Sequence, residues 1–296
     1  MLNALPLPDI QCVLRIPALL GESPVWCHRD QVLYWVDIKN PAVHRFHPAT
    51  GASNSWPMPE DVGSIGLREN GGVVAALRTG FATLDFRTGE VHKFGALEFD
   101  VPDMRFNDGR CDRRGRFWAG TLHEKRVPET ASIYRLEADG ACSPVIEKLT
   151  VSNGITWSPD GRTMYFADSW TRTIFCCHFD GASGAVGDRR IFAELAPGAG
   201  VPDGATTDVK GFLWSAHFDG ACVTRYAPDG KIDRVIPMPV TRPTSCTFGG
   251  ENLDILYVTS ASYNLTAEQR AAQPLAGSVF AIDVGVKGLV EPRFAG

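Results

Sequence analysis

One pattern recurs six times along this 296-residue chain and limits its fold more than any other feature. Each copy runs from a short strand through a Gly/Asp/Asn turn into an apolar or aromatic strand. The copies are Ser23–Asp37, Gly63–Leu77, Asp108–Thr121, Asn153–Asp168, Asp203–His217 and Thr244–Thr259. Their turns recur at roughly 40–48 residues, the period of a four-stranded propeller blade. Second hairpins lie between the copies, with Thr50-Gly51, Thr88-Gly89, Asp139-Gly140 and Asp229-Gly230 at their turns. Glycine in such turns takes the left-handed position without steric cost. The sequence therefore reads as all-β: one six-bladed β-propeller domain over residues 1–296, with four antiparallel strands per blade. Gln11–Ile16 and Ser278–Val284 are expected to share one blade and clasp the ring shut. Thr266–Ala272 is the only expected helix.

Composition supports this reading and excludes others. The 30 Gly and 20 Pro place a chain breaker at about every sixth residue, which suits many short strands. A net charge of −5 and the absence of a Lys/Arg run argue against a nucleic-acid partner. No run reaches the length of a membrane span. Met1–Pro8 has no basic region leading into an apolar core, so no secretory leader is expected. The eight cysteines follow no zinc spacing and read as free thiols of a cytoplasmic protein. Nothing in the sequence calls for an obligatory protein partner.

A propeller alone does not indicate a function, because the same architecture serves as a binding scaffold. Function depends on which polar side chains the innermost strands aim along the axis. Four copies of the repeat begin with an acid or amide: Glu22, Asn107, Asn153 and Asp203. Taken singly, Asn-Gly or Asp-Gly is ordinarily a hairpin turn. As a set they are different, because equivalent positions on the blades of a ring must face one another. Two carboxylates and two amides form a hard-oxygen donor set suited to Ca²⁺, Mg²⁺ or Mn²⁺. No Gly-x-Ser-x-Gly elbow, dinucleotide fingerprint or Walker motif accompanies them.

These positions also carry a resemblance. Gly21-Glu-Ser-Pro-Val-Trp26, Arg105-Phe-Asn-Asp-Gly109, Ala119-Gly-Thr121, Ser152-Asn-Gly154, Pro202-Asp-Gly204, Thr244–Gly250 and Gly285-Val-Lys-Gly288 together resemble the regucalcin–gluconolactonase family, also called the senescence marker protein family, from end to end. The resemblance implies a six-bladed propeller that hydrolyses sugar lactones with one divalent cation (Ca²⁺, Mn²⁺, Mg²⁺, Zn²⁺ or Fe²⁺). It places the family's metal ligands on Glu22, Asn153 and Asp203, with Asp203 also the general base. It places substrate contacts on Arg105 and Asn107. The family has an acidic substrate contact just after Ala-Gly-Thr, and the present alignment sets Lys125 there, with Glu124 one place earlier. His217 is a second departure, and both it and Lys125 are expected on the pocket wall. The expected ligand is a small sugar lactone, an aldonolactone. The alternatives are a calcium-binding regulatory protein, a propeller hydrolase of other esters or phosphotriesters, and a protein-binding scaffold.

Overall fold

A computed structural model describes residues 8–95, 97, 99 and 102–296; the reading of Met1–Pro8 as lacking a leader falls almost wholly outside the described residues. Six antiparallel sheets form the expected ring. Blade 1 comprises Gly21–Cys27, Val32–Asp37, Ala42–Phe46 and Ser53–Pro57; blade 2 comprises Val62–Leu67, Val73–Leu77, Gly80–Leu84 and Val91–Phe94. Blade 3 runs Met104–Cys111, Phe117–His123, Ala131–Leu136 and Cys142–Leu149. Blade 4 runs Ser152–Trp157, Thr163–Asp168, Thr173–Asp180 and Arg190–Glu194, with a two-residue strand Ala185–Val186 added beside the third. Blade 5 comprises Val201–Thr207, Leu213–Phe218, Cys222–Tyr226 and Ile232–Pro237. Blade 6 is built from both ends of the chain: Pro243–Gly249, Ile255–Ser260 and Val279–Asp283 are completed by the N-terminal Ile10–Leu14. Pairing of Ile10 with Ile282 supplies the clasp. The helix is Ala267–Ala272, with Thr266 as N-cap and Gln269 closing a capping box.

The core lies between blades. Second strands are wholly buried in blades 1, 2, 3 and nearly so elsewhere, and Trp35, Trp118 and Trp214 stand on them in alternate blades with no exposed surface. Trp118 and Trp214 each donate their indole N–H to a buried aspartate, Asp112 at 2.9 Å and Asp208 at 3.1 Å. All eight cysteines are free thiols.

Two features of the fold decide where a site can be. First, every innermost strand carries a register shift near its start, between Glu22 and Val25, Val62 and Ser64, Phe106 and Gly109, Asn153 and Thr156, Pro202 and Ala205, and Pro243 and Cys246. A bulge bends the strand and re-aims side chains, and here six bulges face one axis. Second, the C-terminal tail crosses the opposite face. Gly288 pairs with Asp208, Phe294 pairs with Arg68, and Glu291 meets Arg110 at 3.2 Å. Only about 40 Å³ remains between the tail and the strand ends on that side. The usable mouth is at the face where the innermost strands begin. No helix is long and apolar enough to cross a membrane among the described residues.

Candidate active site

At that mouth lies a cavity of about 250 Å³. Its floor is made by the innermost strands, which contribute Glu22, Arg105, Asn107, Asn153 and Asp203 from blades 1, 3, 4 and 5. Its rim is made by the ends of the second strands and the loops after them: Lys39, Glu124, Arg126, Trp170, Phe218 and Tyr263. A larger cleft of about 460 Å³ lies between blades 3 and 4 on the opposite face, lined by the turns of Arg113–Arg116 and Asp160–Arg162. None of the four axial residues reaches it. The chemistry selects the smaller cavity.

Glycine makes the floor possible in two ways. Gly154 is left-handed (φ +63°), and a Cβ there would stand 2.9 Å from the Asp203 carbonyl oxygen. Gly109 and Gly204 have no positive φ; a side chain at Gly109 would meet Ser64 and Trp118, and one at Gly204 would overlap Ser245. A left-handed backbone is thus needed at one of these three glycines. At the other two the need is close approach between neighbouring strands.

The floor residues are buried, at 5–8% exposure for Glu22, Asn107, Asn153 and Asp203. Asn153 donates from Nδ2 to Ser169 Oγ at 2.8 Å, and Ser169 Oγ donates in turn to the Pro202 carbonyl at 2.6 Å. That relay turns the Asn153 oxygen toward the axis, where Asn107 Nδ2 reaches it at 2.6 Å. Asn107 Oδ1 accepts from Arg105 Nη1 at 3.0 Å. Glu22 accepts from the Ser23 N–H at 3.0 Å. Ser23 is itself left-handed (φ 47°), and its Oγ accepts from Ile65 N of the next blade. Asp108, one residue beyond Asn107, accepts from Ile155 N at 3.0 Å and latches blade 3 to blade 4 in the same way.

Electrostatics mark this floor as a place whose acids outweigh the positive charge that reaches them. Burial, then the charge of Asp203, then that of Asp108 push the Glu22 carboxyl well above its usual range. Burial, then Asp108, do the same to Asp203. Burial also raises Asp108. Three buried carboxyls, offset only in part by Arg105, Arg110 and Arg126, fit a divalent cation, which would reverse that penalty. Among the described residues no trio of His, Cys, Asp and Glu is gathered tightly enough to bind a metal unaided. A cation here would depend on the amide oxygen of Asn153 beside the two carboxylates Glu22 and Asp203, a set of hard oxygens.

On the rim, Glu124 lies where an acidic contact was expected, and Lys125 does not. Glu124 Oε1 accepts from Arg105 Nε at 3.1 Å, Arg78 at 2.8 Å and Lys39 at 3.2 Å. Burial pushes its carboxyl up, but Arg105, Lys39 and Arg78 outweigh this and hold it at about 2. The Lys125 side chain is 76% exposed and pairs with Asp103 at 2.8 Å. It points away from the cavity because the strand ends at His123 and the turn that follows, closed by Arg126 N on the His123 carbonyl at 2.8 Å, turns Lys125 outward. His217 is likewise off the wall; Phe218, its neighbour, lines the cavity instead. His217 is 4% exposed and sits between Tyr226 Oη at 3.2 Å and Cys222 Sγ at 3.6 Å.

Sequence reading alone missed Lys39, Arg78, Arg126, Trp170 and Tyr263. A signal for them exists in the repeat: each follows the second strand of its blade by one to three residues.

Comparison with known proteins agrees with this geometry. The sequence profile described as SMP-30/gluconolactonase/LRE-like region matches residues 20–262. A 6-deoxy-6-sulfogluconolactonase of Pseudomonas putida is 42% identical over 97% of this chain and 99% of its own. Regucalcin of Gallus gallus is 36% identical over 97% and 98%. The crystal structure of a calcium-binding protein, regucalcin, from Agrobacterium tumefaciens superposes with a TM-score of 0.93 at 28% identity, covering 98% of both chains. The chain belongs to the SMP-30/gluconolactonase family and is a lactonase, an ester hydrolase built on a six-bladed propeller.

Proposed function

We propose that this protein opens the ring of an aldonolactone in a reaction that requires one divalent cation held by Glu22, Asn153 and Asp203. The observation that carries the reading is the floor itself, where buried carboxyls from separate blades converge and are only partly offset by Arg105 and Arg126. The regucalcin relatives, one of them described as calcium-binding, support a cation in the same fold. When bound, the cation supplies Lewis-acid polarisation of the lactone carbonyl and stabilisation of charge developing on its oxygen.

The chain's own residues do the rest. Asp203, whose carboxylate is free of side-chain partners among the described residues, takes a proton from the attacking water. The water oxygen bonds to the carbonyl carbon, the acyl–oxygen bond of the ring breaks, and the proton passes to the departing ring oxygen. The product is a hydroxy acid, which releases a proton on ionising. Arg105 is locked by Glu124, Asn107 and the Phe106 carbonyl, so its planar fork is oriented before the sugar arrives. Asn107 offers a hydroxyl its remaining hydrogen-bonding capacity.

The 42% relative, by its description, acts on a 6-substituted gluconolactone, so such compounds belong in the substrate panel. The test is proton release with a pH indicator over glucono-, xylono-, arabinono- and galactonolactone and 6-substituted gluconolactones. Chelation should abolish turnover, and Mn²⁺, Ca²⁺ or Mg²⁺ should restore it to differing degrees. Full activity after exhaustive chelation would overturn the cation requirement. Calcium binding without turnover of any lactone would favour the regulatory reading.

A further inference from the structure

The rim is chemically two-sided. Blades 4, 5 and 6 present aromatic side chains, Trp170, Phe218 and Tyr263, with Trp170 57% exposed. Blades 1, 2 and 3 present charge, and the charge is unbalanced. Asp61 accepts from Lys39 at 2.9 Å and Arg78 at 3.0 Å. Glu124 accepts from both of these and from Arg105. Two carboxylates are therefore shared among Lys39, Arg78 and Arg105, and a fourth cation, Arg126, has no acid partner among the described residues. Its Nη1 donates only to the carbonyls of His123 and Glu124, at 3.2 and 3.3 Å. Four cations against two anions leave two positive charges in excess on this side of the rim; Glu22 and Asp203 on the floor offset them only until a divalent cation occupies the floor.

Arg126 is also held where an arginine does not rest by default. Its backbone is left-handed (φ 57°), a conformation that is unfavourable for a non-glycine residue. The turn is fixed from several sides. Arg126 N donates to the His123 carbonyl at 2.8 Å, Lys125 N to His123 Nδ1 at 3.0 Å, and Glu124 N to the Asp103 carbonyl at 3.0 Å. Lys125 pins its outer edge to Asp103. This construction presents one face of the turn, Glu124 and Arg126, to the cavity and keeps Lys125 outside.

We propose that the blade 1–3 side of the rim is an oxyanion subsite, centred on Arg126 with Lys39 and Arg105 beside it, that receives a sulfonate, phosphate or carboxylate carried by the lactone at the end remote from its carbonyl. The proposal rests on the lactonase reading and adds to it a residue and a charge. A neutral sugar would leave the excess positive charge facing hydroxyl groups. An anionic substituent neutralises it and supplies acceptors that Arg126 lacks. The aromatic side then covers the C–H face of the same ligand. Arg126 acts as a specificity residue, since the bond-breaking groups lie on the floor below.

The experiment compares glucono-1,5-lactone with its 6-phosphate and its 6-deoxy-6-sulfonate, using wild-type protein, Arg126→Met and Arg126→Lys at low and high salt. A charge-assisted contact corresponds to about 10- to 100-fold in binding. Wild type should prefer an anionic lactone over the neutral one by at least about tenfold, mainly through KM and less at high salt. Arg126→Met should reduce that preference by about tenfold or more, and Arg126→Lys should restore part of it. Whether the phosphate or the sulfonate arm shows the larger effect identifies the oxyanion. Calorimetry with glucitol and 6-deoxy-6-sulfoglucitol separates the two readings. Lactones opened with no charge preference in wild type, or an equal loss on all substrates in Arg126→Met, overturn the subsite and leave the lactonase standing. Arg126-dependent binding of the sulfonated polyol without turnover of any lactone upholds the subsite and overturns the lactonase. Neither binding nor turnover overturns both.

Discussion

At the scale of single residues, the turn after a strand decides roles that an alignment cannot. Glu124 and Lys125 differ by one position, and the one-residue offset exchanges cavity for solvent. Lys125→Glu is therefore expected to leave the ranking of lactones unchanged and to alter kcat/KM by less than about threefold, because an exposed ion pair contributes little. A reordered substrate ranking in a lactone panel would contradict this placement. Glu124→Gln should act differently: it removes a charge shared by three cations and leaves Arg105 without an acid partner, so KM for neutral lactones should rise clearly more than in Lys125→Glu. His217 belongs to stability. Burial lowers its pKa from 6.5 to about 4, so the unfolded chain takes up a proton between those values and the folded one does not. Its contribution is complete above pH 6.5 and is lost as pH falls toward 4, by roughly 3 kcal/mol in all. Urea unfolding between pH 7 and 4.5 should show a shallower loss in His217→Gln than in wild type. Parallel curves would contradict the assignment.

At the scale of elements, the hairpin repeat was legible because each blade buries its second strand and turns on glycine, and both leave marks in the sequence. The innermost strands were legible as positions but not as geometry. Every one of them bulges where it meets the axis, and a bulge has no composition of its own. The three glycines after the polar residues illustrate this, since only Gly154 is there for its φ. Gly154→Ala therefore meets two obstacles, a left-handed backbone and the Asp203 carbonyl, and Asp203 must move. Gly51→Ala meets the left-handed backbone (φ +73°) alone, with open space around it. Gly51→Ala should cost about 1 kcal/mol and leave cation affinity unchanged. Gly154→Ala should cost about 2–4 kcal/mol by melting or urea unfolding and weaken the cation at the same time. Equal effects of the two substitutions would show that the floor tolerates displacement.

At the scale of the whole molecule, the ring turns residues far apart in sequence into one site, and nothing local in the chain announces their meeting. The six-fold count and the terminal clasp follow from the repeat. The unequal halves of the rim do not, because they depend on loops that each blade varies independently. The tail closes the far face, so the lactone and the floor must meet at a single mouth. The central claim is that Asp203 and Asn153, brought together from two blades, hold one cation while Asp203 alone moves the proton. Asp203→Asn keeps size and one ligating oxygen but removes the base, whose loss typically costs about 10²–10⁴ in rate. The decisive measurement is lactone turnover by Asp203→Asn, with Asn153→Asp beside it, at a cation concentration shown by direct binding to fill the site. Turnover in Asp203→Asn should stay slow by about that factor while Asn153→Asp recovers a sizeable share. Near-wild-type turnover in Asp203→Asn with the cation bound would contradict the account.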